Sequence, residues 1–247
     1  MTAVLHGGPP RGPLLTITRS TAIPGAGIHF ASENKPLNDL QDQVRRAQEL
    51  GQKLEDLVVN AGTITIKTEG SPLLIGFWSL ICDYQKGLLD LLRCKFYAAA
   101  FALWRPIIEA TIRAHLSLML PKEDLDRLKK DKYRVDFNKV PREIDEAFGL
   151  GHIFQDFLPE PAREALHSYT HSGVVPLKRR FDGTDVAANY PDREILALIN
   201  TTTSGVFMVT SLVTKHFGLE KEWEEAQRLY GEWGEHRQGE TRPPQGV

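Results

Sequence analysis

Residues Ala98 to Leu120 read AAAFALWRPIIEATIRAHLSLML, and this stretch decides the fold. Its apolar residues cover most of a helical circumference. Arg105, Glu109 and Arg113 recur every four residues and therefore fall in one narrow stripe. One turn further back at a time, the stripe passes through the small residues Ala102 and Ala98. A helix that is apolar nearly all round is a core helix, and a charged seam along it needs partners.

The neighbouring sequence keeps the same period. Leu37, Leu40, Val44, Ala47, Leu50, Leu54 and Val58 step by threes and fours, which predicts an amphipathic helix from Leu37 to Asn60. Pro72 to Leu92 carries Leu73, Phe77, Leu80, Ile81, Tyr84, Leu88 and Leu91 on one broad face. Between these two helices, Thr63 to Thr68 (TITIKT) reads as an extended connection, because no partner strand is visible. Pro106 predicts a kink in the charged-seam helix.

Beyond Pro121 the pattern predicts a charged helix (EDLDRLKKDK), a helix at Pro141 to Phe148, and a short helix from Glu160 to Ser172 stopped by Gly173. A long helix follows from Pro191 to Phe217, ended by Gly218. Its TTTSG centre favours close approach of another helix over intrinsic helicity. A last helix runs from Leu219 to about Trp233. The expected fold class is all-α, a helical bundle with short connections. The expected organisation is a flexible arm over residues 1–35, one helical domain over 36–236 and a disordered tail over 237–247.

Composition limits the function. The 247 residues carry a net charge of -2, which argues against nucleic-acid binding over the whole surface but leaves room for a local basic patch. Two cysteines, Cys82 and Cys94, in apolar helical sequence suit a reducing compartment. The N-terminal residues lack a signal-peptide core, and no run of eighteen apolar residues occurs. The expectation is a cytoplasmic protein with no membrane partner.

Three groups of residues could carry chemistry. Arg105, Glu109 and Arg113 form either a solvated ladder of ion pairs or a partly buried anion site in which Glu109 orients two guanidiniums. His115 falls on the apolar side of that helix and reads as a satisfied core histidine. The segment LHSYTHSG (166–173) places His167 and His171 on one helical face, with Arg163 before them. Such a pair can ligate zinc, with Glu109 as a third ligand, but Ser168 stands where metalloproteases place a glutamate. The same residues without a metal suit general acid–base work beside a phosphate. A structural reading places His171 at a helix C-terminus. The third group, Lys178, Arg179 and Arg180, is a solvated loop or an RNA-steering patch, and Tyr169 is a core residue or a platform for a base.

Taken together, RPIIEATIRAHL, LHSYTHSG, KRRFDG and NYPDREIL resemble, over roughly residues 70–218, a bacterial family designated only as a domain of unknown function. The matching positions are Arg105, Glu109, Arg113, His167, Tyr169, His171 and Arg180. That family is similar in outline to the HEPN superfamily of helical bundles. HEPN proteins include metal-independent ribonucleases of toxin–antitoxin, abortive-infection and CRISPR-associated systems. Their motif is an arginine, four to six residues, then a histidine, doubled across a homodimer; here Arg163 precedes His167 by three intervening residues and His171 by seven.

The resemblance implies a HEPN-like homodimer that cleaves RNA without a cofactor or metal, in defence or beside a cognate antitoxin or regulator. His167, His171, Arg105, Glu109 and Arg113 would be catalytic, and Tyr169, Lys178, Arg179 and Arg180 would bind substrate. The alternative is a non-catalytic binding or interaction module whose Arg-Glu-Arg seam is structural or holds a small anion.

Overall fold

In the computed structural model the described residues are 37–157, 169, 177, 179, 181–182, 185–186 and 189–241. The N-terminal arm and most of the 158–188 segment therefore lie outside them. Among the described residues the chain forms α1 (Leu37–Val59), α2 (Ser71–Arg93), α3 (Tyr97–Met119), α4 (Lys122–Lys129), α5 (Val140–Phe148) and α6 (Ile153–Phe157). Two-residue strands β1 (Phe181–Asp182) and β2 (Asp185–Val186) follow, then α7 (Asp192–Phe217) and α8 (Glu220–Thr241). The fold is an all-α bundle.

The opening stretch forms α3, unbroken through Pro106. Its apolar circumference is explained by two cores. Ala100, Phe101, Ile107, Ala110 and Ala114 face the main core with α1, α2, α7 and α8. Ile108, Ile112 and Leu116 face a second core made with Val140 and Ile144 of α5 and Phe154 of α6. Ile107, Ile108 and Ile112 are fully covered, and burial of each contributes about 2–3 kcal/mol.

At the centre of the main core is α7, which packs against α1, α2, α3 and α8. Its small residues allow this. Gly205 lies against α3, where an added Cβ would stand 3.1 Å from Thr111 Oγ1 and 3.6 Å from Ile107 Cγ2. Thr202 and Thr203 are buried beside it, and Thr202 returns its hydroxyl to the Leu198 carbonyl at 2.9 Å, so its polar group is satisfied inside the helix. Among the described helices α7 alone is long and apolar enough to cross a membrane by length and composition, and half of that stretch is buried inside the bundle.

Three features depart from the sequence reading. The helix α6 was not foreseen; at five residues it is too short to show a period, and it depends on Asp145 of α5. The buried Asp145 carboxylate accepts the backbone N–H groups of Phe154 (2.8 Å) and Gln155 (3.2 Å), capping α6 from another element. The β1–β2 pair, antiparallel with Phe181 opposite Val186, was also not foreseen, since two-residue strands carry no alternation. Finally, α8 continues to Thr241, so residues 237–241 are helical rather than tail; the Gly-Pro composition begins only with Pro243 and Pro244. The connection at 63–68 is not helical, as expected, and α7 ends at Gly218 in the left-handed region (φ 75°).

Candidate functional site

The stripe on α3 is neither fully solvated nor fully buried. Arg113 donates from Nη2 and Nε to Glu109 Oε1 at 2.8 and 3.2 Å, and from Nη1 to Asp131 Oδ1 at 3.1 Å. Asp131 follows α4 in a left-handed turn (φ 52°), which brings the chain back over the stripe. Side-chain exposures are 16% for Arg113, 30% for Glu109 and 88% for Asp131. An intrahelical i,i+4 pair is therefore present, and the connection between α4 and α5 half-covers it. Further along the same connection, the Phe137 ring lies under the Arg105 guanidinium, 5.8 Å from it. Glu109 thus positions Arg113, while Arg105 rests on the Phe137 ring.

His115 is a core histidine. It is buried between the edges of Phe148 and Phe154, at ring separations of 5.4 and 4.5 Å, and its Nδ1 bonds the Thr111 carbonyl at 2.9 Å. Burial lowers its imidazole to about 4, against the smaller opposing effect of the Thr111 bond.

Tyr169, between His167 and His171 in sequence, is helical and buried. Its ring stacks on Phe101 of α3 at 4.8 Å, one helical turn before Arg105. One face of the ring foreseen as a platform for a base is thus taken by Phe101, which corrects that reading toward a core residue. Burial, then Tyr190, pushes its hydroxyl up to about 12, and that hydroxyl lies beside Arg179 without closing a full hydrogen bond. Arg179 grips both oxygens of Glu194 on α7 at 2.5 and 2.6 Å, so its charge is held against the bundle rather than presented on a free loop. The structure thus brings Tyr169, Arg179 and Glu194 to the end of α3 that carries Phe101 and Arg105. His167, His171, Lys178 and Arg180 lie outside the described residues, as does Arg163.

A Ser–His pair escaped the sequence reading because 145 residues separate its members. Ser71 Oγ lies 2.8 Å from His216 Nε2. The same oxygen accepts the backbone N–H groups of Thr68 and Lys67 at 3.0 and 3.3 Å, and the Lys67 ammonium donates to the His216 carbonyl at 2.8 Å. Burial, then the Lys67 charge, holds His216 below its ordinary value. Ser71 has no exposed surface, which removes it as a nucleophile. The pair fastens the start of α2 to the end of α7.

Among the described residues no group of three or more His, Cys, Asp or Glu side chains is arranged to hold a metal. No family model matches the chain, and neither a curated protein nor a solved structure is significantly similar to it.

Proposed function

We propose that this chain is a HEPN-like helical protein that cleaves RNA without a metal, with Arg105 and the His167–His171 segment as its working parts. The observation that carries this reading is the stacking of Tyr169 on Phe101 at 4.8 Å. It attaches Tyr169, two residues in sequence from each histidine, to the helix bearing Arg105. In this reading Arg105 holds a nonbridging phosphate oxygen, and Glu109 with Asp131 keeps Arg113 in place beside it. One imidazole takes the proton of the ribose 2′-hydroxyl as that oxygen attacks phosphorus. A protonated imidazole gives a proton to the departing 5′-oxygen, leaving a 2′,3′-cyclic phosphate and a 5′-hydroxyl.

A second copy of the chain, a cognate regulator and a cytoplasmic, reducing setting belong to the same proposal. The setting is supported by Cys82 and Cys94, both free thiols. The test is single-stranded RNA incubated with the protein in excess chelator. Fragments ending in 2′,3′-cyclic phosphate are expected, with no cut at positions carrying 2′-deoxyribose. Intact RNA, or cleavage that needs added metal, contradicts the proposal.

A second reading has its own observation. Arg113 is engaged by two carboxylates and largely covered, which suits a structural seam in a non-catalytic interaction module. If the seam serves only the fold, Arg113→Ala and Arg105→Ala both lower stability, by about 1 kcal/mol each, and RNA is untouched by any variant. Under the cleavage reading Arg105→Ala loses far more activity than its small loss of stability accounts for. Urea unfolding alongside the RNA assay separates the two.

A further inference from the structure

Of the basic triplet expected to steer RNA, Arg179 is held by Glu194. A different set of cations stands free, on the connection between α4 and α5. Asp131 of this connection meets Arg113, and Phe137 meets Arg105, so residues 131–137 run alongside the α3 stripe for about 12 Å. Burial alternates along them. Tyr133, Val135 and Phe137 are half-buried and pack on the second core, whereas Lys132, Arg134 and Asp136 are exposed. The alternate apolar side chains thus anchor the connection, and Lys132 and Arg134 stand outward beside the exposed Lys130.

These three cations differ from their neighbours in lacking partners. Arg127 is paired with Asp124, Lys129 with Glu69 and Asp126, Lys139 with Glu143 and Arg142 with Glu146. The side chains of Lys130, Lys132 and Arg134 form no ion pair or hydrogen bond with a described residue. The two acids among them are engaged elsewhere: Asp131 bonds Arg113, and Asp136 accepts the Asn138 backbone N–H at 2.9 Å. Unpaired cations set in a row repel one another, and a chain of phosphates relieves that repulsion while releasing its own counterions. No large apolar side chain of residues 122–142 is exposed, so this surface lacks the anchors that a lipid interface takes up.

We propose that Lys130, Lys132 and Arg134 hold the backbone of single-stranded RNA and lead it along the α3 stripe. The proposal rests on the RNA reading above and adds the residues that bind the strand beside the cut. Because these contacts are to phosphates, binding would tolerate any base sequence and weaken as salt rises.

The test is fluorescence anisotropy of a labelled single-stranded RNA carrying 2′-O-methyl groups, which block attack by the 2′-oxygen, titrated with the full chain at several salt concentrations. Replacing all three cations (Lys130→Gln, Lys132→Gln, Arg134→Gln) should weaken binding at least about tenfold and reduce the slope of log affinity against log salt by about 2. The paired cations supply the control: Arg127→Gln with Arg142→Gln should bind as wild type does. Unmodified RNA is assayed for cleavage in parallel. If wild type cuts RNA and the triple variant binds and cuts equally well, this proposal falls and the cleavage reading stands. If wild type binds through the three cations but cuts nothing, the cleavage reading falls and this proposal stands. An equal loss in the control variant, or wild type that binds phosphatidylserine vesicles and no RNA, would overturn the proposal.

Discussion

His115 shows most clearly how one residue's surroundings set its chemistry. On the helical wheel it falls on an apolar face, and the structure encloses it between Phe148 and Phe154 with one backbone partner. An imidazole held near 4 when folded and near 6.5 when unfolded takes up protons preferentially in the unfolded chain as pH falls. Its contribution to stability is therefore complete above about pH 6.5 and is lost as pH falls through the window from about 6.5 to about 4. Between pH 7 and pH 5 the wild type should lose about 2 kcal/mol more unfolding free energy than His115→Phe. Urea denaturation at the two pH values measures this, and parallel losses in both proteins would contradict it. Arg105, Glu109 and Arg113 illustrate the opposite case: their stripe was legible from spacing alone, but the carboxylate of Asp131 was not, because it arrives from a turn eighteen residues away.

At the scale of elements, periodicity located α1 and α2, the apolar circumference located α3, and proline and glycine boundary signals located α5 and α7. These signals failed where structure depends on a distant group. The helix α6 exists by virtue of the Asp145 cap, and the Ser71–His216 fastening joins helix ends far apart in sequence. The sequence also pointed to α3 as the organising helix, since it is the most continuously apolar to the eye. In the bundle α3 borders both cores, yet α7 is the helix that touches α1, α2, α3 and α8. The TTTSG centre, poor for an isolated helix, is what fits it for that place. Gly205→Leu should consequently destabilise the protein by about 1–3 kcal/mol by forcing α7 away from Thr111 and Ile107. Gly231→Leu on α8, where an added Cβ meets nothing within 4 Å, serves as the control. A thermal melt in which both variants behave alike would contradict the close approach.

Across the whole molecule, the fold class was legible and the site only in part. The all-α class follows from a 3.6-residue period sustained through most of the chain. The stripe on α3 was visible for the same reason, whereas the burial of Tyr169 and the gripping of Arg179 by Glu194 depend on which helices meet. Those two contacts bring Tyr169 and Arg179 to the end of the bundle that carries Arg105. The central claim is that Arg105 and the histidines flanking Tyr169 in sequence act on one phosphate. The most direct test is the rate of RNA cleavage by wild type, Arg105→Ala, His171→Ala and the double variant, each checked for folding by thermal melt. Groups acting as a unit are strongly non-additive. Each single variant should lose at least about 100-fold in rate, and the double variant should lose scarcely more than either. Equal rates in wild type and the double variant, or losses that simply multiply, would contradict the account.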